Sequence, residues 1–132
     1  MYPTDYRYTR EHEWIQVQGD VGTIGITDYA QHELGDVVFV ELPQLGARLE
    51  AQQSFGTVES VKAVSEIYCP VSGVVIKVNS QLAQEPEKIN KDPHGAAWLI
   101  KIRLANPKDL EALMDAEAYQ AYIAEKQKEA SA

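Results

Sequence analysis

Few residues in this chain could do chemistry, and one is set apart by its neighbours. In the run Gly56-Thr57-Val58-Glu59-Ser60-Val61-Lys62-Ala63-Val64-Ser65-Glu66-Ile67-Tyr68-Cys69-Pro70, Val58, Val61, Val64 and Ile67 favour extended backbone. The stretch reads as two strands with Lys62 near the bend between them. Tight bends usually carry Gly, Asn or Asp, yet this one has Val61-Lys62-Ala63, with apolar residues where solvent should be. A free lysine amine has a pKa of about 10.4, is charged at neutral pH and offers no redox chemistry. Held out on a firm hairpin, it suits covalent attachment of a borrowed group by an enzyme that must reach it from several directions. The plain alternative is a solvated surface lysine.

The other candidates carry less. His12, His32 and His94 show no metal-ligand spacing, so no metal is expected. Cys69 is the only cysteine, which rules out an intramolecular disulfide. Beside Tyr68 and Pro70, with no clear cation or helix start to lower its pKa, it reads as a packing residue. No nucleophile with a base and no phosphate loop appears, so the chain is not expected to be an enzyme.

Short strands must position the lysine. Residues 12–18 and 21–26 read as a hairpin about Gly19-Asp20, with Trp14 facing the core. Thr27 or Asp28 caps a two-turn helix through Leu34; Asp28 and Gln31 have capping-box spacing, and Gly35 stops it. Strands follow at 37–40, from Ser54-Phe55 to the lysine, at 74–79 and at 98–104, with a helical turn near Leu82 in a loop holding Pro86 and Pro93. This pattern predicts an antiparallel sandwich or flattened barrel. Asn106-Pro107 opens a helix carrying Leu110, Leu113 and Met114. Asp115 caps another with Tyr119, Tyr122 and Ile123 on one stripe, and residues 125–132 are polar enough to fray. A 38-residue offset lays Gly35, Val37 and Val40 over Gly73, Val75 and Val78, as two related hairpin units would, and sets Ile24 opposite Lys62.

At 132 residues the chain is read as one domain, with a β-rich part over 1–105 and a helical extension over 106–132. Its formal charge of −8 repels phosphate backbones and anionic lipid, and no apolar run reaches membrane length, so neither nucleic acid nor membrane is expected as a partner. The start Met1-Tyr2-Pro3-Thr4-Asp5 has neither a secretory nor a transit pattern. A bacterial cytoplasm is expected, a trimmed organellar form being the alternative.

Glu59-Ser60-Val61-Lys62-Ala63 with Ser65-Glu66-Ile67, then Pro70-Val71-Ser72-Gly73 and the strand from Val74, resembles the lipoyl-attachment segment of the glycine cleavage system H-protein family. His12-Glu13-Trp14, Gly25-Ile26-Thr27-Asp28-Tyr29-Ala30-Gln31, the stretch from Leu34-Gly35-Asp36 to Leu42-Pro43, and Trp98-Leu99-Ile100-Lys101 are similar to it too, covering nearly the whole chain. His94-Gly95-Ala96-Ala97 departs, since Tyr and a Gly before Trp are commoner there. The resemblance implies a lipoyl/biotinyl-type barrel-sandwich hybrid with short helices, and lipoate on Lys62 joined by a lipoate ligase or a lipoyl/octanoyl transferase. The carrier would pass an aminomethyl group from glycine decarboxylase, a pyridoxal-phosphate enzyme, to aminomethyltransferase, which uses tetrahydrofolate, and its dihydrolipoyl group to dihydrolipoyl dehydrogenase. It would be a monomer without catalysis of its own.

A loaded arm carries a primary amine that water can break down, so a sheltering cleft with acids would serve. The resemblance places Glu13, Glu33 and Glu66 around such a cleft, with Glu59 nearby, while a solvated-surface role fits each equally well. A biotinyl domain is the nearest rival, though such domains usually bracket their lysine with Met where this chain has Val61 and Ala63. A lipoyl relay serving other complexes is the other.

Overall fold

Alternation in the strands decides the layers, because neighbouring side chains leave a strand on opposite faces. In the computed structural model, which describes residues 2–131, the strands are β1 (Arg7–Tyr8), β2 (Glu13–Gln18), β3 (Val21–Ile26), β4 (Val37–Glu41), β5 (Arg48–Leu49), β6 (Ser54–Ser60), β7 (Val64–Tyr68), β8 (Gly73–Val78) and β9 (Ile100–Leu104). The helices are α1 (Asp28–Leu34), α2 (Lys88–Lys91) and α3 (Ala116–Ser131), with 3-10 turns at Ser80–Ala83 and Pro107–Ala112. One sheet runs β1-β2-β3-β9-β8-β5 and the other β4-β6-β7, with every strand pairing antiparallel. The fold is mainly β with a C-terminal helix, its flattened sheets not closing into a barrel.

The main core holds Ile15, Ile24 and Ile102 from the larger sheet and Val40, Val58 and Ile67 from the smaller. Trp14, next to Ile15, belongs to a second cluster with Tyr8, Ala116, Tyr119 and Ile123. Trp14 and Ile15 thus serve opposite faces of β2, and α3 covers the face that Trp14 occupies. The Trp14 indole N–H donates to the carbonyls of Ile26 and Pro93 at 3.0 and 2.9 Å, satisfying its one polar group in a buried setting.

Thr27 is the N-cap of α1, accepting from the Ala30 N–H at 3.2 Å, while Asp28 instead accepts from the Gln31 side chain. Gly35 ends the helix at φ 83°, a conformation that glycine enters without steric cost.

Four local expectations are corrected. The segment after Asn106 is a 3-10 turn that stops at Ala112; Met114 leaves it to exchange backbone hydrogen bonds with Tyr8 at 2.8 and 2.9 Å. A strand-like partner outcompetes the helical spacing there. Ile24 lies within β3, paired with Ile15 and Ile100, so the 38-residue offset does not relate two hairpin apices. The polar tail from Glu125 continues α3 to Ser131, Ala132 lying outside the described residues. The last strand begins at Ile100, two residues beyond Trp98.

Gly73 starts β8 against β9, and a Cβ there would stand 2.3 Å from the Arg103 carbonyl oxygen. Close approach of backbone, not a positive φ, therefore requires glycine. Gly73→Val should cost about 3 kcal/mol and lower Tm by roughly 10 °C; thermal unfolding checks this, and an unchanged Tm would mean that β8 shifts freely.

Candidate functional site

The lysine hairpin is β6–β7, whose last ladder pair is Glu59 with Val64. Ser60 closes the four-residue connection. Its backbone N–H donates to the Ala63 carbonyl at 2.8 Å, and its hydroxyl oxygen accepts from the N–H groups of Lys62 and Ala63 at 3.2 and 3.1 Å. A buried serine thus does locally what Gly or Asn does in most tight bends. Val61 and Val64 are 70% and 64% exposed, flanking an exposed Lys62.

The apex is also tied sideways. Val61 N–H donates to the Asp36 carbonyl at 3.0 Å, and the Lys62 side chain lies over Gly35, where an added Cβ would sit 3.2 Å from Lys62 Cε. The lysine stem therefore leaves the hairpin along the C-terminal end of α1.

Beside it is a cavity of about 400 Å³ between α1, β7 and the start of β2. Glu11, Glu13, Glu33 and Glu66 line it with His12, and no Lys or Arg does. Ile26, Leu34, Val58 and Ile67 supply apolar wall. Apolar sides with acidic groups suit a long apolar chain ending in a cation. A second cavity of about 720 Å³, with Gln52, Tyr68, Cys69 and Met114 in its wall, shares Glu11 and Glu13 with the first. It is the larger, but of the apex residues Ala63 lines the first cavity and none lines the second, Lys62 itself standing outside both.

Glu13 is 2% exposed. One carboxylate oxygen accepts from the Thr9 hydroxyl at 2.5 Å and the other from the Tyr68 N–H at 3.0 Å. Burial raises its pKa, those hydrogen bonds pull the other way, and the carboxyl is left at about 7. Glu66 differs: exposed, it accepts from Ser54 at 3.1 Å. Glu33 sits exposed on α1.

His12 takes φ 75°, rare outside glycine, and its Nδ1 is 2.9 Å from the Tyr119 hydroxyl, itself 2.7 Å from the Thr27 hydroxyl. Burial holds its imidazole below the usual range. The α1 cap, α3 and the cavity wall are thereby joined by one hydrogen-bonded chain.

Glu13, Glu33 and Glu66 thus line one cavity, whereas Glu59, exposed on β6 opposite Phe39 and Val64, does not. Thr9, His12, Ser60 and Tyr119 are additions. Ser60 was traceable, as a hydroxyl two residues before the lysine; Thr9 and Tyr119 act through tertiary approach and leave no local signal. Burial pushes the Cys69 thiol up to about 11, as befits a packing residue. His32 is exposed on α1, and His94 accepts from the Asp28 N–H at 3.0 Å. Among the described residues, no three His, Cys, Asp or Glu side chains form a metal-holding group.

The model of the family described as glycine cleavage H-protein matches residues 6–126. A glycine cleavage system H protein of Acidobacterium capsulatum is 58% identical over 124 residues, 94% of this chain and 95% of the relative. One of Symbiobacterium thermophilum is 54% identical over 123 residues, 93% and 96% of the two chains. The crystal structure of a glycine cleavage system H protein from Mycobacterium marinum superposes with a TM-score of 0.86 at 38% identity, covering 92% of this chain and 98% of that one.

Glu13 makes stability pH-dependent. Between its unfolded value of about 4.5 and its folded value of about 7, the folded chain keeps a proton that the unfolded chain has released. The stabilisation is full below about 4.5 and is lost as pH rises through about 7. From pH 4.5 to 8 the wild type should lose about 3 kcal/mol more than Glu13→Gln. Denaturant titrations across that range check it; parallel curves for the two proteins would contradict it.

Proposed function

We propose, from the premise that this chain belongs to the glycine cleavage H-protein family, that Lys62 is where its lipoyl group is attached. The chain is a lipoyl carrier of the glycine cleavage system and works with that system's enzymes. We read those enzymes as glycine decarboxylase, aminomethyltransferase and dihydrolipoyl dehydrogenase, with a lipoate ligase or a lipoyl/octanoyl transferase acting on Lys62. On this reading the chain acts as a single carrier unit, monomeric, non-catalytic and bacterial-cytoplasmic. Among the described residues, no helix is long and apolar enough to cross a membrane. The family match favours neither the biotinyl alternative nor a relay to other complexes.

The observation that carries the site assignment is the course of Lys62: an exposed amine on a closed apex, its stem already laid over Gly35 beside an acid-lined cavity. The residues fit the group, because an amine in solvent can be acylated and the cavity offers apolar walls for a long arm. When attached, the dithiolane supplies a sulfur–sulfur bond that opens to take up a one-carbon fragment and two electrons.

The chain's own residues do the rest. Ser60 fixes the apex, so the arm starts from one place while its length sweeps widely, which raises its effective concentration at each enzyme. The walls at Leu34, Val58 and Ile67 exclude water from an arm at rest. Glu13, with Glu33 and Glu66 at its sides, meets the cargo's ammonium, and being buried, Glu13 attracts it through little intervening water.

Intact mass tests the assignment. Expressed with lipoate and a competent ligase, the wild type should gain one lipoyl group and Lys62→Arg none; a group appearing on Lys77 or any other lysine of the variant would reject Lys62.

A further inference from the structure

Asn90 lies in α2 beside Ile89, which is fully buried and anchors that turn. Its side chain makes three hydrogen bonds, to Gln31 in α1, to Gly35 at the end of that helix and to Val37 at the start of β4. Its carbonyl oxygen accepts from the Val37 N–H at 2.8 Å. Its amide nitrogen donates to the Gly35 carbonyl at 2.9 Å and to the Gln31 side-chain oxygen at 3.0 Å. One N–H and two oxygens demand an acceptor and two donors in one small group, which asparagine has and aspartate lacks.

The corner so held is the one that the lysine apex leans on. Between Gly35 and Val37, both held by Asn90, stands Asp36, whose carbonyl receives the Val61 N–H, and Gly35 is the surface under the Lys62 stem. Tyr29, Ala30, Glu33 and Leu34, on the helix that Gly35 ends, line the acid-lined cavity. From Gly35 back to Tyr29 is six residues, roughly 9 Å of helix rise. An arm rooted at Lys62 that follows α1 toward its N-terminal end runs along that wall toward Glu13.

We propose that Asn90 is a positioning residue for the carrier arm: by fixing the Gly35-Asp36-Val37 corner it sets the direction in which the Lys62 stem leaves the hairpin, and so the arm's entry into the cavity. This rests on Lys62 as the anchor and on the acidic cavity as the resting place. Asn90 touches neither the arm nor its cargo.

The test uses the full-length chain as wild type, Asn90→Ala, Asn90→Asp and Glu13→Gln. In unmodified protein, amide hydrogen exchange at Val61 should quicken by about tenfold in Asn90→Ala while amides of β9 keep wild-type rates. Lipoylated proteins are then loaded using glycine decarboxylase and glycine and separated from the enzyme. Asn90→Ala should gain the same lipoyl mass as wild type yet release ammonia and formaldehyde several-fold sooner. Asn90→Asp keeps the bond to Val37 and loses the two donors, so it should change in the same direction. It carries the test if the alanine variant does not fold.

Uniformly faster exchange across both sheets would make Asn90 a general stabilising residue and overturn the proposal. So would an unchanged Val61 rate, or a loosened Val61 with a wild-type lifetime of the loaded carrier. If Glu13→Gln also loses its cargo no faster than wild type, the cavity reading fails and this proposal falls with it. If Glu13→Gln is faster and Asn90→Ala is not, the cavity reading stands and Asn90 alone is wrong.

Discussion

Charging a carboxyl that is 2% exposed is costly, and the site depends on how Glu13 meets that cost. Its two oxygens take a hydroxyl from Thr9 and an amide from Tyr68, so the segment before β2 and the end of β7 converge on one side chain. Two hydrogen bonds are not enough to restore an ordinary carboxylate, and the group rests at about 7. In that condition it responds to what lies beside it. A cation in the cavity favours the charged form; an uncharged neighbour leaves much of it protonated.

That responsiveness needs a fixed frame. Glu13 starts β2, whose next two residues anchor separate clusters, Trp14 under α3 and Ile15 between the sheets. Tyr68 ends the strand that returns from the lysine apex. Lys62 and Glu13 therefore lie toward opposite ends of β7, spanned by the cavity wall of Val64, Ser65, Glu66 and Ile67. On the reading proposed for Lys62, one short strand sets the distance between where an arm begins and where its cargo would rest. The exposed Val61 and Val64 are then the cost of a lysine that several enzymes must reach.

Local chemistry was legible in the sequence, and tertiary convergence was not. The hairpin around Lys62, the Gly19-Asp20 turn, the Thr27 cap and the Gly35 stop each rest on residues adjacent in the chain, and each stands in the structure. The two-residue strands β1 and β5 are too short to show periodicity. Met114 follows Tyr8 instead of its own helical spacing because a partner 106 positions away offers it two backbone hydrogen bonds. Glycine at 73 is required by a backbone oxygen from β9, a tertiary neighbour that leaves no local signal, and α2 with Asn90 gave no pattern among the prolines of its loop. The acids were traceable only as a set; that Glu13 is buried while Glu33 and Glu66 face solvent follows from where β2 begins relative to β7.

The central claim is that Glu13 is an acid poised near neutrality that takes up charge when a cation docks beside it. A carbon-13 titration of its side-chain carboxyl, followed by NMR in the unmodified chain and in the loaded carrier, tests this directly. The unmodified protein should titrate with a midpoint of about 7, and the loaded carrier at a clearly lower pH, because the ammonium favours the carboxylate. An ordinary carboxylate midpoint in the unmodified chain, or the same midpoint in both states, would contradict it.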